Sequence, residues 1–182
     1  MSDFFDELPI PAEWDGLIGA TIPYWDSLDI LEVQWTRTAS FREAESGTAL
    51  FMEYMFWRRV SIVWVCTTIE AFLNEEGVSW LGERFYKANI ERQSVRQKIA
   101  LIYALKYRKR IFFKKCEKIK VFKLFEMRNR IVHPKSHEVL PVASHEDKLM
   151  DLFHSITFDE LRQAVRTITT LLMATGVGED SE

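Results

Sequence analysis

Cysteine, glycine and proline are all scarce in this chain of 182 residues, which has 2, 7 and 5 of them. Cys66 and Cys116 stand far apart in apolar and basic surroundings. They offer neither a disulfide framework nor a paired metal knuckle, and a reducing cytoplasm suits them. Seven glycines leave no Gly-rich phosphate loop, and no G-x-S-x-G elbow supports a Ser-His-Asp hydrolase. Long apolar runs are missing as well. Val60 to Ile69, flanked by Arg58, Arg59 and Glu70, is about half of a bilayer crossing. Bases are absent from residues 1–36, which carry eight acids. The opening MSDFFDELPIP therefore lacks the basic region of a secretory signal. These absences predict a cytoplasmic protein with no membrane partner.

What is present is the composition of a folded domain: 47% hydrophobic and 28% charged residues exclude a disordered tail or a collagen-like repeat. The length corresponds to roughly 1.2 domains, and a chain of this size buries about 70% of the surface it exposes when unfolded. The net charge of −3 hides an asymmetry, because residues 106–123 hold nine bases against one acid. The chain is thus acidic at its start and basic past its middle.

Residues 1–45 carry Pro9, Pro11 and Pro23 with Trp14, Trp25 and Trp35 among them, and show no sustained helical or alternating period. They read as an irregular acidic arm packing on the body. From Thr48 to Glu76 there is neither Pro nor Gly, and apolar residues crowd nearly every face; Gly77 follows. That pattern predicts one long central helix, buried on several sides. A short helix is expected over Ser79–Ala88, a third over Ser94–Lys106 and a fourth over Lys118–His133. Thr157-Phe-Asp-Glu160 is a capping box opening a fifth, which ends at Gly176. The predicted fold is all-α, a bundle of about five helices over 46–176 with an acidic tail at 177–182.

Two charges break this pattern. On the fourth helix the apolar stripe runs Val121, Phe125, position 128, Val132, and the inward residue is Arg128. On the long helix it runs Val63, Cys66, position 70, Leu73, and the inward residue is Glu70. An unpaired buried charge costs several kcal/mol, so the two are expected to meet or to line a polar cavity. An internal ion pair fixing helix register explains them as well as a functional site does. The residues beyond Arg128 favour function: Asn129, Arg130, Ile131, Val132, His133 and Pro134 follow. Asn129 and His133 share a helical face, while Arg128 and His133 lie about 140° apart around the axis. The latter two converge if the helix ends and bends at Pro134, or if a second copy supplies the complementary half.

The R-N-x-x-x-H run of Arg128, Asn129 and His133, together with T-I-E-A-F-L-N at Thr68 to Asn74, resembles the HEPN superfamily (higher eukaryotes and prokaryotes nucleotide-binding domain). The resemblance spans about Ala49 to Leu172. It implies a compact helical bundle, a homodimer whose motifs face one cleft, and metal-independent endoribonuclease activity in a toxin or defence setting. By position it implies Arg128 and His133 as the catalytic pair, Asn129 as the orienting residue, Glu70 as a supporting group and Asn74 as a softer transfer. In members paired with a minimal nucleotidyltransferase, a tyrosine stands two residues after the histidine. Here that position is Lys135, which speaks against that kind of antitoxin partner, though not against nuclease activity.

Metal-free RNA cleavage uses the ribose 2′-hydroxyl as nucleophile, which needs a proton acceptor and a cation for the charge gathering on phosphorus. His133 and Arg128 are those two types, and no cofactor is required. The basic segment, with Lys106, Arg108, Lys109, Arg110, Lys114 and Lys115, interleaves Tyr107, Phe112, Phe113 and Phe122. Such a stripe attracts a phosphate backbone and suits single-stranded or looped RNA, unless its aromatics turn to the core. Zinc is disfavoured: His133, His137, His145 and His154 have no cysteine or carboxylate spaced to complete a site. The alternatives are a catalytically silent HEPN-like module that binds nucleotide, RNA or protein, and a helical adaptor in which Arg128 and Glu70 are only an internal pair.

Overall fold

The structure, a computed structural model, describes residues 22–111, 113–114, 120–133 and 153–173, with side chains from Ser27 onward. All its regular elements among these residues are helical. They are α1 (Ile22–Thr38), a 3-10 turn (Ala39–Glu43), α2 (Ala49–Leu81), α3 (Glu83–Asn89), α4 (Val95–Tyr107), α5 (Val121–Val132) and α6 (Phe158–Met173). The all-α bundle read from the sequence is the fold observed.

α2 is the axle. Its 33 residues make a rod about 50 Å long. It begins where Thr48 Oγ1 accepts a hydrogen bond from the Phe51 amide, and α1, α3, α4, α5 and α6 all pack on it. That surround explains why its sequence is apolar on every side. Ile62, Val65, Cys66, Ile69, Phe72 and Leu73 are all buried.

Two boundaries differ from the sequence expectation. The stretch read as an irregular arm contains α1, which buries Leu28, Leu31 and Trp35 at helical spacing. Pro23 does not break it, because in the first helical turn the missing N–H has no intrahelical partner to lose. Likewise α2 runs through Gly77 to Leu81 and stops at Gly82, which has φ 78°. Gly77 is there for contact. A Cβ on it would fall 2.5 Å from Tyr86 Cδ2, closer still to Cε2, and 3.3 Å from Ile102 Cδ1. The ring of the α3 tyrosine comes up close against the α2 backbone at this point.

The expected capping box is present: the Glu160 amide donates to Thr157 Oγ1 at 3.2 Å, and the Thr157 amide to Glu160 Oε2 at 2.9 Å. Ser94 and Gln97 form a second box at the start of α4. Around α6 the helices are stitched by Arg162 with Asp29 and Glu32 of α1, and by Lys120 with Glu160 at 2.7 Å. No described helix is long and apolar enough to cross a membrane.

Candidate functional site

The two charges singled out by pattern meet. Arg128 Nη2 of α5 donates to Glu70 Oε2 of α2, and Arg128 Nη1 donates to Asn129 Oδ1 at 2.9 Å. The pair is not sealed: the side chains keep 20% and 32% of their exposure. The reason lies in the register of α5. Its buried face is Val121, Leu124, Phe125 and Met127, while Val132 is exposed. The stripe drawn through Val132 therefore drifts outward along the helix, and Arg128 sits at its edge, where it reaches both the carboxylate and solvent.

Behind the pair lies a polar seam. Glu70 and Asn74 are one turn apart on α2. Asn74 Oδ1 accepts two hydrogen bonds, from Tyr86 Oη at 2.6 Å and from Lys98 Nζ at 3.0 Å. Lys98 is buried, and burial pushes its ammonium below the usual lysine range while Glu70 acts to hold the charge on. Burial likewise pushes the Tyr86 hydroxyl and the Cys66 thiol each up to about 12. Glu70 is thus shared electrostatically between Arg128 and Lys98. Neither Lys98 nor Tyr86 was singled out by sequence. Lys98 sits between the buried Val95, Ile99 and Ile102 on α4, so the same test that found Arg128 applies to it.

His133 stands apart from the pair. It is the C-cap of α5, with φ −123° and ψ 66°; its amide bonds to Asn129 O at 2.8 Å. Its ring is exposed, has no hydrogen bond among the described residues, and is not bonded to Arg128. The chain does leave the helix at His133, as Pro134 predicts, yet within one chain this does not join the two side chains.

The basic segment divides. Lys106 is spent inside the bundle, paired with Glu76 of α2 and donating to Leu172 O at 2.6 Å. Arg108, Lys109, Arg110 and Lys114 are exposed, and Lys115 lies outside the described residues. Phe112 lies outside the described residues, and the other aromatics of the segment are engaged internally. Tyr107 Oη donates to Leu172 O at 2.5 Å, and Phe113 packs edge-on against Phe122 with centroids 5.4 Å apart. Among the described residues no three His, Cys, Asp or Glu gather as a metal site requires; His137 and His145 lie outside them.

Charge inside the bundle goes further than the sequence pattern suggested. Arg58 of α2 is buried, donating from Nε to Phe153 O at 3.0 Å and from Nη2 to Ile156 O at 2.6 Å. Its guanidinium lies 3.9 Å from the Trp35 ring centroid. Set against protein-family models, curated proteins and solved structures, the chain matches none of them.

Proposed function

We propose that the protein is a metal-independent endoribonuclease of HEPN type, acting on single-stranded or looped RNA as a homodimer, in a toxin or defence role. The observation that supports this reading is the half-open arginine. Arg128 is held by Glu70, backed by Lys98, and oriented at the surface by Asn129. A guanidinium fixed at a solvent edge is suited to grip a phosphodiester, since its planar fork of donors matches two phosphate oxygens. The exposed basic segment draws the polyanion in from a distance.

In the reaction the ribose 2′-hydroxyl loses its proton, its oxygen bonds to phosphorus, and the 5′-oxygen leaves and gains a proton. The products are a 2′,3′-cyclic phosphate and a 5′-hydroxyl. Arg128 stabilises the charge on the phosphoryl oxygens, and His133 exchanges the proton. Their separation within one chain makes the dimer part of the proposal, with His133 of one copy serving Arg128 of the other.

The test is RNA cleavage in EDTA. His133→Ala is expected to slow it by about 10²–10⁴-fold, and Arg128→Ala by a comparable factor. Equal rates for wild type and His133→Ala would remove His133 from the mechanism, and a monomeric mass in solution would remove the shared cleft. The exposed ring of His133, which has no hydrogen bond among the described residues, favours a second reading, a silent RNA-binding module. That reading predicts RNA binding without cleavage and indifference to His133→Ala.

A further inference from the structure

The outer face of α4 and the turn after it enclose a groove of about 770 Å³. Ala100, Leu101, Ala104 and Ile111 form an aliphatic floor, and Arg108 and Arg110 stand on its rim. Leu101 keeps 38% of its exposure, and Leu105, one turn on, keeps 47%. Small residues one turn apart beside larger ones are what a packed helix–helix contact uses, since the alanines let a second backbone approach and the leucines fill its grooves. α4 already faces the bundle with Val95, Lys98, Ile99 and Ile102, so this strip is a second face of the same helix.

The chemistry of the groove separates two classes of occupant. A nucleic-acid strand gains from aromatic faces on which bases stack. Here one ring, Phe113, lines the groove beside Arg96, but its faces and edge are already engaged: it packs edge-on with Phe122, and the Arg96 guanidinium lies 4.8 and 5.0 Å from the two centroids, while Tyr107 is tied to the Leu172 carbonyl. Long-range attraction of RNA needs charge alone and makes no use of an aliphatic floor. No carboxylate lines the groove among the described residues. An apolar strip at helical spacing with a cationic rim is complementary to a helix that carries leucine-like residues on one side and acids on its flanks.

We infer that this groove is a docking site for an acidic amphipathic helix of a partner protein. The inference goes beyond the nuclease reading: Arg108 and Arg110 serve both, but the aliphatic floor with Leu101 belongs to this inference alone and uses neither Arg128 nor His133.

Fluorescence anisotropy with the full chain tests it. The probe is a labelled peptide of about 20 residues with Leu at helical i, i+3, i+4 spacing and Glu elsewhere. A peptide of the same composition in scrambled order and an oligouridylate of similar length serve as comparators. The patterned peptide is expected to bind saturably, and the scrambled one at least about tenfold more weakly. Leu101→Glu and Arg110→Glu, both at exposed positions, are each expected to weaken the patterned peptide by about tenfold or more. Circular dichroism is expected to show both variants folded as wild type. Equal binding of the two peptides would reduce the site to bare charge and overturn the inference. So would absence of saturable binding up to about 100 µM. Loss of oligouridylate binding in Leu101→Glu would assign the groove to RNA instead. A dimer that becomes monomeric in Leu101→Glu would assign it to a second copy.

Discussion

Two arginines enter the bundle from opposite sides of the same question, and they are solved differently. Arg58 is nearly sealed, with 6% of its exposure left, and among the described residues no carboxylate bonds to it. Main-chain carbonyls of 153–156 accept its protons, and Trp35, Tyr54 and Phe153 surround its planar face. Burial pushes its pKa down, but a guanidinium keeps its proton regardless. Arg128 has a carboxylate partner and an open edge. The first arrangement commits Nε and Nη2 to holding a turn to α2, whereas the second leaves the cation within reach of a ligand. A guanidinium buried against main-chain carbonyls and rings is architecture; the half-open one is where chemistry can take place.

The largest expected effect lies on the sealed side. Arg58→Ala strips two buried carbonyls of their donor and opens a cavity under Trp35, so urea denaturation is expected to show a loss of about 3 kcal/mol. Arg58→Lys should recover little of it, because one ammonium cannot reproduce the fork. A loss under about 1 kcal/mol would erase the contrast drawn between the two sites. Next comes Gly77→Ala, beyond both of them along α2. Helix propensity favours alanine by about 1 kcal/mol, but the clash with Tyr86 costs about 1–3 kcal/mol of overpacking and strains the Asn74 bond. A net loss of up to about 2 kcal/mol is expected, and Tyr86→Ala in the same background should remove the clash.

The open pair is expected to matter less for stability. A double-mutant cycle with Glu70→Gln and Arg128→Gln should give a coupling of about 1 kcal/mol, between the values for exposed and buried pairs. If the cycle instead gives about 3 kcal/mol or more, the pair is architecture like Arg58. The smallest effect concerns the cap of α6. Burial alone would raise the Glu160 carboxyl, but its bonds to Lys120 and Thr157 outweigh that and hold it below the usual glutamate range. A depressed folded value means stability that is complete above the unfolded pKa and lost as pH falls through the folded one. The advantage of wild type over Glu160→Gln, under about 1 kcal/mol at pH 7, should therefore shrink between about pH 5 and pH 3 in denaturation curves.

Helix identity was legible because α4, α5 and α6 carry helical periods, α2 is an unbroken apolar run, and α2, α4 and α6 carry their own caps. α1 was obscured by prolines whose cost depends on their place in the turn, and Gly77 by a role set through α3. The meeting of Glu70 and Arg128 could be read from two stripes, since each charge interrupts a local pattern. Arg58 interrupts one in the same way, between Tyr54, Ile62 and Val65. It was hidden by neighbours that made it look like the flank of an apolar run. The bonds of Asn74 to Tyr86 and Lys98 join three helices, and no local pattern encodes such a convergence.

Arg58 and Glu70 ride on one uninterrupted helix, twelve residues and so about 18 Å apart along its axis. A straight rod carries displacement from end to end with little bending, so the sealed turn at one station acts as the anchor for the exposed station. Loosening that turn should let α2 slide against α5, and the first sign of it would be faster amide exchange around Arg128, well before the bundle opens.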